Sequence, residues 1–97
     1  MKLYFQDSSA DTITAKISAQ LEKDGRYNDI VSVAPGSDAF TVTIQKLGQS
    51  KLIFAKEESH WRLEQEKIAL SHKAYKSKVY HIIEKIVLSL GGKVEKS

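Results

Sequence analysis

The chain has 97 residues and a mass of 10.9 kDa, with 41% hydrophobic and 28% charged residues, one proline and no cysteine. This composition describes one compact domain of roughly 5,600 Å² folded surface, and excludes two domains, a disulfide framework, a thiol nucleophile and any thiolate metal site. The formal charge of +3 comes from the second half: residues 1–45 hold four basic against six acidic side chains, and the remainder holds eleven against six.

The opening segment Lys2–Gln6 is strand-like, rich in Leu3, Tyr4 and Phe5, but too short to place in a sheet. A helix follows. Ser8 and Asp11 match a capping box, in which hydroxyl and carboxylate satisfy amide groups left free by the first turn. Ala10, Ile13, Ile17 and Leu21 form a narrow apolar face, and Asp24-Gly25 supplies the stop. Ile30–Ala34 is a β-branched run ending in the turn signal Pro35-Gly36-Ser37-Asp38. The next strand alternates Phe40, Val42 and Ile44 against Thr41, Thr43 and Gln45, as a sheet with one buried face requires.

Gly48 and its polar neighbours break that strand, and Lys51–Lys56 forms another, with Leu52 and Phe54 competing against Ile53 and Ala55 for the buried face. His60–Glu66 alternates Trp61 and Leu63 against polar residues and reads as a strand in preference to a helix. The last element is a long helix opening near Ser71 and His72. Its apolar arc holds Tyr75, Val79, Ile82, Ile83, Ile86, Val87 and Leu90, and Gly91-Gly92 ends it. Residues 93–97 read as a loose tail after a single domain of residues 1–92. The expected fold is α+β: a small antiparallel sheet of three to four strands, with an additional N-terminal strand left open, packed by two helices in the order (β)-α-β-β-β-(β)-α.

No membrane span or signal peptide is expected, because the most apolar stretch, Val79–Leu90, is interrupted by His81, Glu84 and Lys85. A cytoplasmic location is the corresponding expectation. Metal and cofactor binding are not expected either. His72 and His81 fall about 180° apart on the last helix, so they cannot chelate one ion. Ser59-His60 and Ser71-His72 are adjacent pairs whose side chains are expected to point apart, and no serine sits in a G-x-S-x-G elbow. An enzyme is therefore not expected, with His60 and His81 read as exposed and His72 as part of the helix start.

Two binding classes remain. Exposed aromatic anchors would serve a protein interface, and the candidates are Tyr27, Trp61, Tyr75 and Tyr80. Homodimerisation fits the same class, through an uncovered edge or exchange of Leu3–Phe5. The alternative is a nucleic-acid interface of Lys56, Arg62, Lys73, Lys76 and Lys78, whose phosphate contacts would make binding salt-dependent. The element order helix, antiparallel strands, helix, with Lys73 and Lys76 at the last helix's start, resembles double-stranded-RNA-binding domains and implies a grip across RNA minor grooves. That resemblance is confined to topology and these two lysines, and Tyr75 stands where the family's motif has alanine. Helical projection puts Lys76 on one side of the apolar arc and Lys78 and Lys85 beyond the other. The favoured expectation is a small non-catalytic interaction or regulatory domain.

Overall fold

The element order in the computed structural model is β1 (Lys2–Tyr4), α1 (Ala10–Asp24), β2 (Val31–Gly36), β3 (Ala39–Gln45), β4 (Gln49–Lys56), β5 (Trp61–Lys67), a 3₁₀ segment (Leu70–Tyr75), α2 (Lys76–Ser89) and β6 (Lys93–Glu95). It describes residues 1–6, 9–25, 27 and 29–96, the side chains of residues 74 and 75 excepted. Both helices pack one antiparallel sheet of strand order β2-β3-β4-β5-β1-β6. The fold is α+β, but its sheet has six strands where three to four were expected.

The extra strands come from the two shortest segments. β1 lies between β5 and β6, pairing Leu3 with Trp61 on one side and with Val94 on the other. Residues 93–95, read as part of a loose tail, are therefore a strand. Gly91, at φ 81°, reverses the chain after α2, and the Gly92 N–H donates to the Val87 carbonyl at 3.0 Å. A Cβ on Gly92 would stand 2.6 Å from the Tyr4 carbonyl oxygen, so only glycine lets this turn close against β1.

Alternation sets which sheet face is buried. Phe40, Val42 and Ile44 on β3 face Leu52 and Phe54 on β4, Trp61 on β5 and Leu3 on β1. The Leu52/Phe54 register wins because both residues are fully buried, while Ile53 and Ala55 lie on the uncovered face. A bulge between Ile53 and Phe54 shifts the β4–β5 register, so that Glu66 falls opposite Leu52 and on the helix-covered face. Ile13, Ile17 and Leu21 of α1 and Val79, Ile82, Ile83 and Val87 of α2 close the core. At about 25 cal/mol per Å² of apolar area, each of these side chains contributes on the order of 2 kcal/mol when buried. The radius of gyration, 12.4 Å, agrees with the roughly 12.5 Å of a single domain this long.

Helix starts differ from their sequence signals. Ser9 is the N-cap of α1, with its side chain accepting from the Thr12 N–H at 3.5 Å; the expected cap, Ser8, lies outside the described residues. Gly25, at φ 71°, ends the helix as expected and returns its N–H to Leu21. The final helix does not open at Ser71: residues 70–75 wind as a 3₁₀ segment and α2 begins at Lys76. Pro35 and Gly36 belong to β2 and not to its turn, which is Ser37-Asp38 with Asp38 at φ 51°.

Pro35 is informative on this edge strand. Gln45 N–H donates to the Ile30 carbonyl, which with the β2–β3 register turns the backbone groups of Val31, Val33 and Pro35 outward. Val31 N–H is occupied by the Tyr27 carbonyl at 2.8 Å, and proline has no N–H. The edge thus offers Val33 as its outward donor, a poor template for another strand.

Candidate functional site

The hairpin between β3 and β4 reverses over Lys46-Leu47-Gly48, where Leu47 holds φ 58° and Gly48 φ 144°. A Cβ on Gly48 would stand 2.6 Å from Ser71 Oγ and 3.1 Å from the Ala69 side chain. The absent side chain therefore lets the hairpin tip sit directly on the segment leading into the 3₁₀ turn.

A buried polar network fixes that contact. Ser50 is fully buried on β4, and its hydroxyl lies 2.5 Å from His72 Nδ1 while accepting from the Ala69 N–H at 2.9 Å. His72 Nε2 lies 2.6 Å from the Lys46 carbonyl. Because a carbonyl only accepts, Nε2 carries the proton, and Nδ1 accepts from the Ser50 hydroxyl. Ser71 adds a bond from its hydroxyl to the Leu47 carbonyl at 2.7 Å. His72 lies in the 3₁₀ segment before α2, where it is a buried clasp and not a residue of the final helix's first turn. The Ser50–His72 pair has a nucleophile-and-base outline, but a serine with no accessible surface cannot reach a substrate, so the pair orders structure.

Beside the clasp runs a groove. One part, with a cavity volume of about 460 Å³, is lined by Tyr27, Ile44, Leu47, Val79 and Ile82, with Lys46 and Lys78 at its margin. A second depression of about 200 Å³ lies between α1 and α2, shares Tyr27 and Ile82 with the first, and adds Leu21, Ile86, Asp24 and Lys85. Together they form one channel along α2. Leu47 stands on its rim at 90% exposure, and Leu70, beyond the clasp, is 84% exposed.

A further depression of about 440 Å³, on the other side of α2, is lined by Leu63, Lys76, Tyr80, His81 and Lys96. Its chemistry is internally satisfied. Tyr80 donates its hydroxyl to Glu66, Lys76 lies 3.1 Å from the same carboxylate and 5.9 Å from the Tyr80 ring centroid, and Lys96 lies 2.9 Å from Glu84. Burial and the Glu66 hydrogen bond push the Tyr80 phenol well above its ordinary value. Burial alone would raise the Glu66 carboxyl, but hydrogen bonds from Tyr80 and Lys76 outweigh it and hold the group below the ordinary range. In the first groove, by contrast, Lys46, Lys78 and Lys85 have no carboxylate partner among the described residues.

Of the aromatic candidates, Tyr27 lines the groove, half-buried, with its carbonyl accepting from Ile30 and Val31. Trp61 does not qualify as a surface anchor: it is 3% exposed, its ring 5.2 Å from that of Phe40. Tyr80 faces the opposite depression, and the Tyr75 side chain lies outside those described. The basic candidates are spread over the surface. Arg62 is on the uncovered sheet face, bonded to Glu57 at 2.8 Å, which lowers the Glu57 carboxyl's titration. Lys76 is engaged by Glu66, Lys56 ends β4, Lys73 is exposed on the 3₁₀ segment, and Lys78 alone of the five lines the groove. Sequence reasoning missed Leu47, Lys46 and the His72 clasp. The signal for Leu47 was a large apolar residue beside Gly48 in a tight turn.

Among the described residues no three His, Asp or Glu side chains converge as a metal site, and no helix is long and apolar enough to cross a membrane. The uncovered sheet face carries Thr41, Thr43, Ile53, Lys51 and Lys67. Comparison with family models, curated proteins and solved structures finds no match to this chain.

Proposed function

We propose that the protein is a small non-catalytic interaction module whose working surface is the groove between the β3–β4 hairpin tip, the α1–β2 turn and α2. The observation that carries this reading is Leu47. A leucine with positive φ is strained by about 1 kcal/mol, and at 90% exposure it recovers nothing by burial. Asparagine or glycine would suit the turn better. Its placement on the rim of an apolar channel is what an anchor for another molecule requires. A cytoplasmic setting belongs to the same reading and rests on the absence of cysteine.

The nucleic-acid alternative draws support from the net charge, but two of its five residues, Arg62 and Lys76, already hold carboxylates and point to different surfaces. One experiment separates the readings. A photoreactive benzoylphenylalanine replaces Leu47 in one sample and Thr41, on the uncovered sheet face, in another, and both are irradiated in cells. The interaction module yields a discrete, nuclease-resistant protein adduct from position 47 and none from 41. Nuclease-sensitive adducts, or equal labelling at both positions, would overturn it.

A further inference from the structure

Resting on that reading of the groove, we infer that its occupant is an acidic amphipathic helix of another protein, laid along α2. The charge pattern selects the occupant. Three exposed ammonium groups, Lys46, Lys78 and Lys85, stand around an aliphatic floor, against one carboxylate, Asp24, among the lining residues. A second copy of this chain docked about a two-fold axis would bring the same lysines face to face, which disfavours self-association through this surface. A nucleic-acid backbone would leave the exposed Leu47 side chain without apolar cover. An acidic partner with an apolar stripe satisfies both the floor and the rim.

Spacing selects helix over strand. Lys78 and Lys85 are seven residues apart on α2, a rise of about 10.5 Å, with Ile82 between them on the same side. A helix lying alongside presents glutamates at i and i+7 with the same separation, and leucines at intervening i+3 or i+4 positions facing Ile82 and Tyr27. An extended strand offers same-face residues at about 6.6 Å or about 13 Å and meets only one of the two lysines at a time. Lys46, on the hairpin side of the channel, supplies a cationic flank across from α2, and Leu47 beside it closes over the helix's apolar stripe.

The test uses the full chain and three fluorescent peptides of about fifteen residues, each stapled to hold its helix. One has glutamates at i and i+7 with leucines at i+3 and i+4, one has lysines in place of the glutamates, and one has the acidic composition scrambled. Fluorescence anisotropy is expected to show the acidic helix binding at least about tenfold tighter than either control, with the advantage shrinking as salt rises. Lys78→Glu with Lys85→Glu should reverse the preference, so that the lysine peptide binds and the glutamate peptide does not. Both positions are exposed, and an unchanged amide fingerprint shows that the variant folds. Leu47→Asp should weaken the acidic peptide by about tenfold or more.

Equal binding of the acidic and scrambled peptides overturns the inference, as does a double variant that folds without reversing preference. A dimer seen by sedimentation and dispersed by Leu47→Asp would assign the groove to a second copy. Binding of a short RNA duplex that is lost in Lys78→Glu and kept in Leu47→Asp would assign it to nucleic acid. If the peptides fail while position 47 still yields a protein adduct in cells, the interaction module stands and the acidic helix does not.

Discussion

His72 Nδ1 and Ser50 Oγ, 22 residues apart in sequence, meet at 2.5 Å in the interior and join the β4 strand to the turn before α2. The serine hydroxyl also accepts from Ala69, and the imidazole's far nitrogen holds Lys46, so each removal leaves a buried polar group without its partner. Ser50→Ala is therefore expected to cost about 1–3 kcal/mol, measured by urea unfolding. His72→Ala should cost more, because it also opens a cavity. The double variant should be less destabilised than the sum, with a coupling above about 0.5 kcal/mol. Additive losses would show that the two side chains act separately.

Leu47 gives a prediction of opposite sign. Leu47→Gly or Leu47→Asn relieves the left-handed strain and removes an exposed apolar side chain. The expected gain is up to about 1 kcal/mol, a rise in melting temperature of roughly 4–8 °C at this chain length. Loss of stability in both variants would mean that the leucine serves the fold.

Gly48 separates from its neighbour in the same turn. Gly48→Ala places a methyl 2.6 Å from Ser71 Oγ and also imposes a side chain on a backbone at φ 144°. A loss of about 2 kcal/mol or more is expected. Ser71→Gly in the Gly48→Ala background should restore part of it by freeing the contact. Failure of that rescue would assign the loss to backbone strain and the Ala69 contact instead.

The Tyr80–Glu66 contact predicts a pH dependence at both ends. Glu66 titrates below its ordinary value when folded, so its contribution is complete above the unfolded carboxylate range and is lost as pH falls through the folded value. Tyr80 titrates above its ordinary value. From about pH 10 upward the unfolded chain therefore releases this proton first, and stability declines by at most about 1.4 kcal/mol per pH unit. Tyr80→Phe should flatten the alkaline decline in urea-unfolding series. An unchanged slope would place the sensitivity elsewhere.

What was readable in the sequence follows from how many turns of a period each element spans. Helix α1 shows Ala10, Ile13, Ile17 and Leu21 over about three turns and ends on a glycine at positive φ. Strand β3 shows three buried residues in strict alternation. Strand β6 has Val94 as its one inward residue, and a single residue has no period. Its place was decided by pairing with β1, a tertiary event invisible locally. Ser50 and His72 were masked by polarity. The Leu52/Phe54 alternation extended back two residues reaches Ser50, and His72 lies seven residues before Val79, yet polar residue types argue against burial until their partners are known. Glu66 reached the covered face through a bulge, which no alternation count anticipates. The groove likewise joins residues 27, 47 and 82, and only packing brings them together.

The pairing of β1 with β6 has a consequence for how the chain is made. Tyr4 donates its hydroxyl to Glu95 across 91 residues, and β1 reaches its full complement of neighbours only when residues 93–95 are present. A ribosome releases Leu3 early and Glu95 late, so the central hairpins can assemble during synthesis while the first strand waits. Its apolar Leu3, 1% exposed in the finished fold, gains its Val94 neighbour only once translation has passed Glu95.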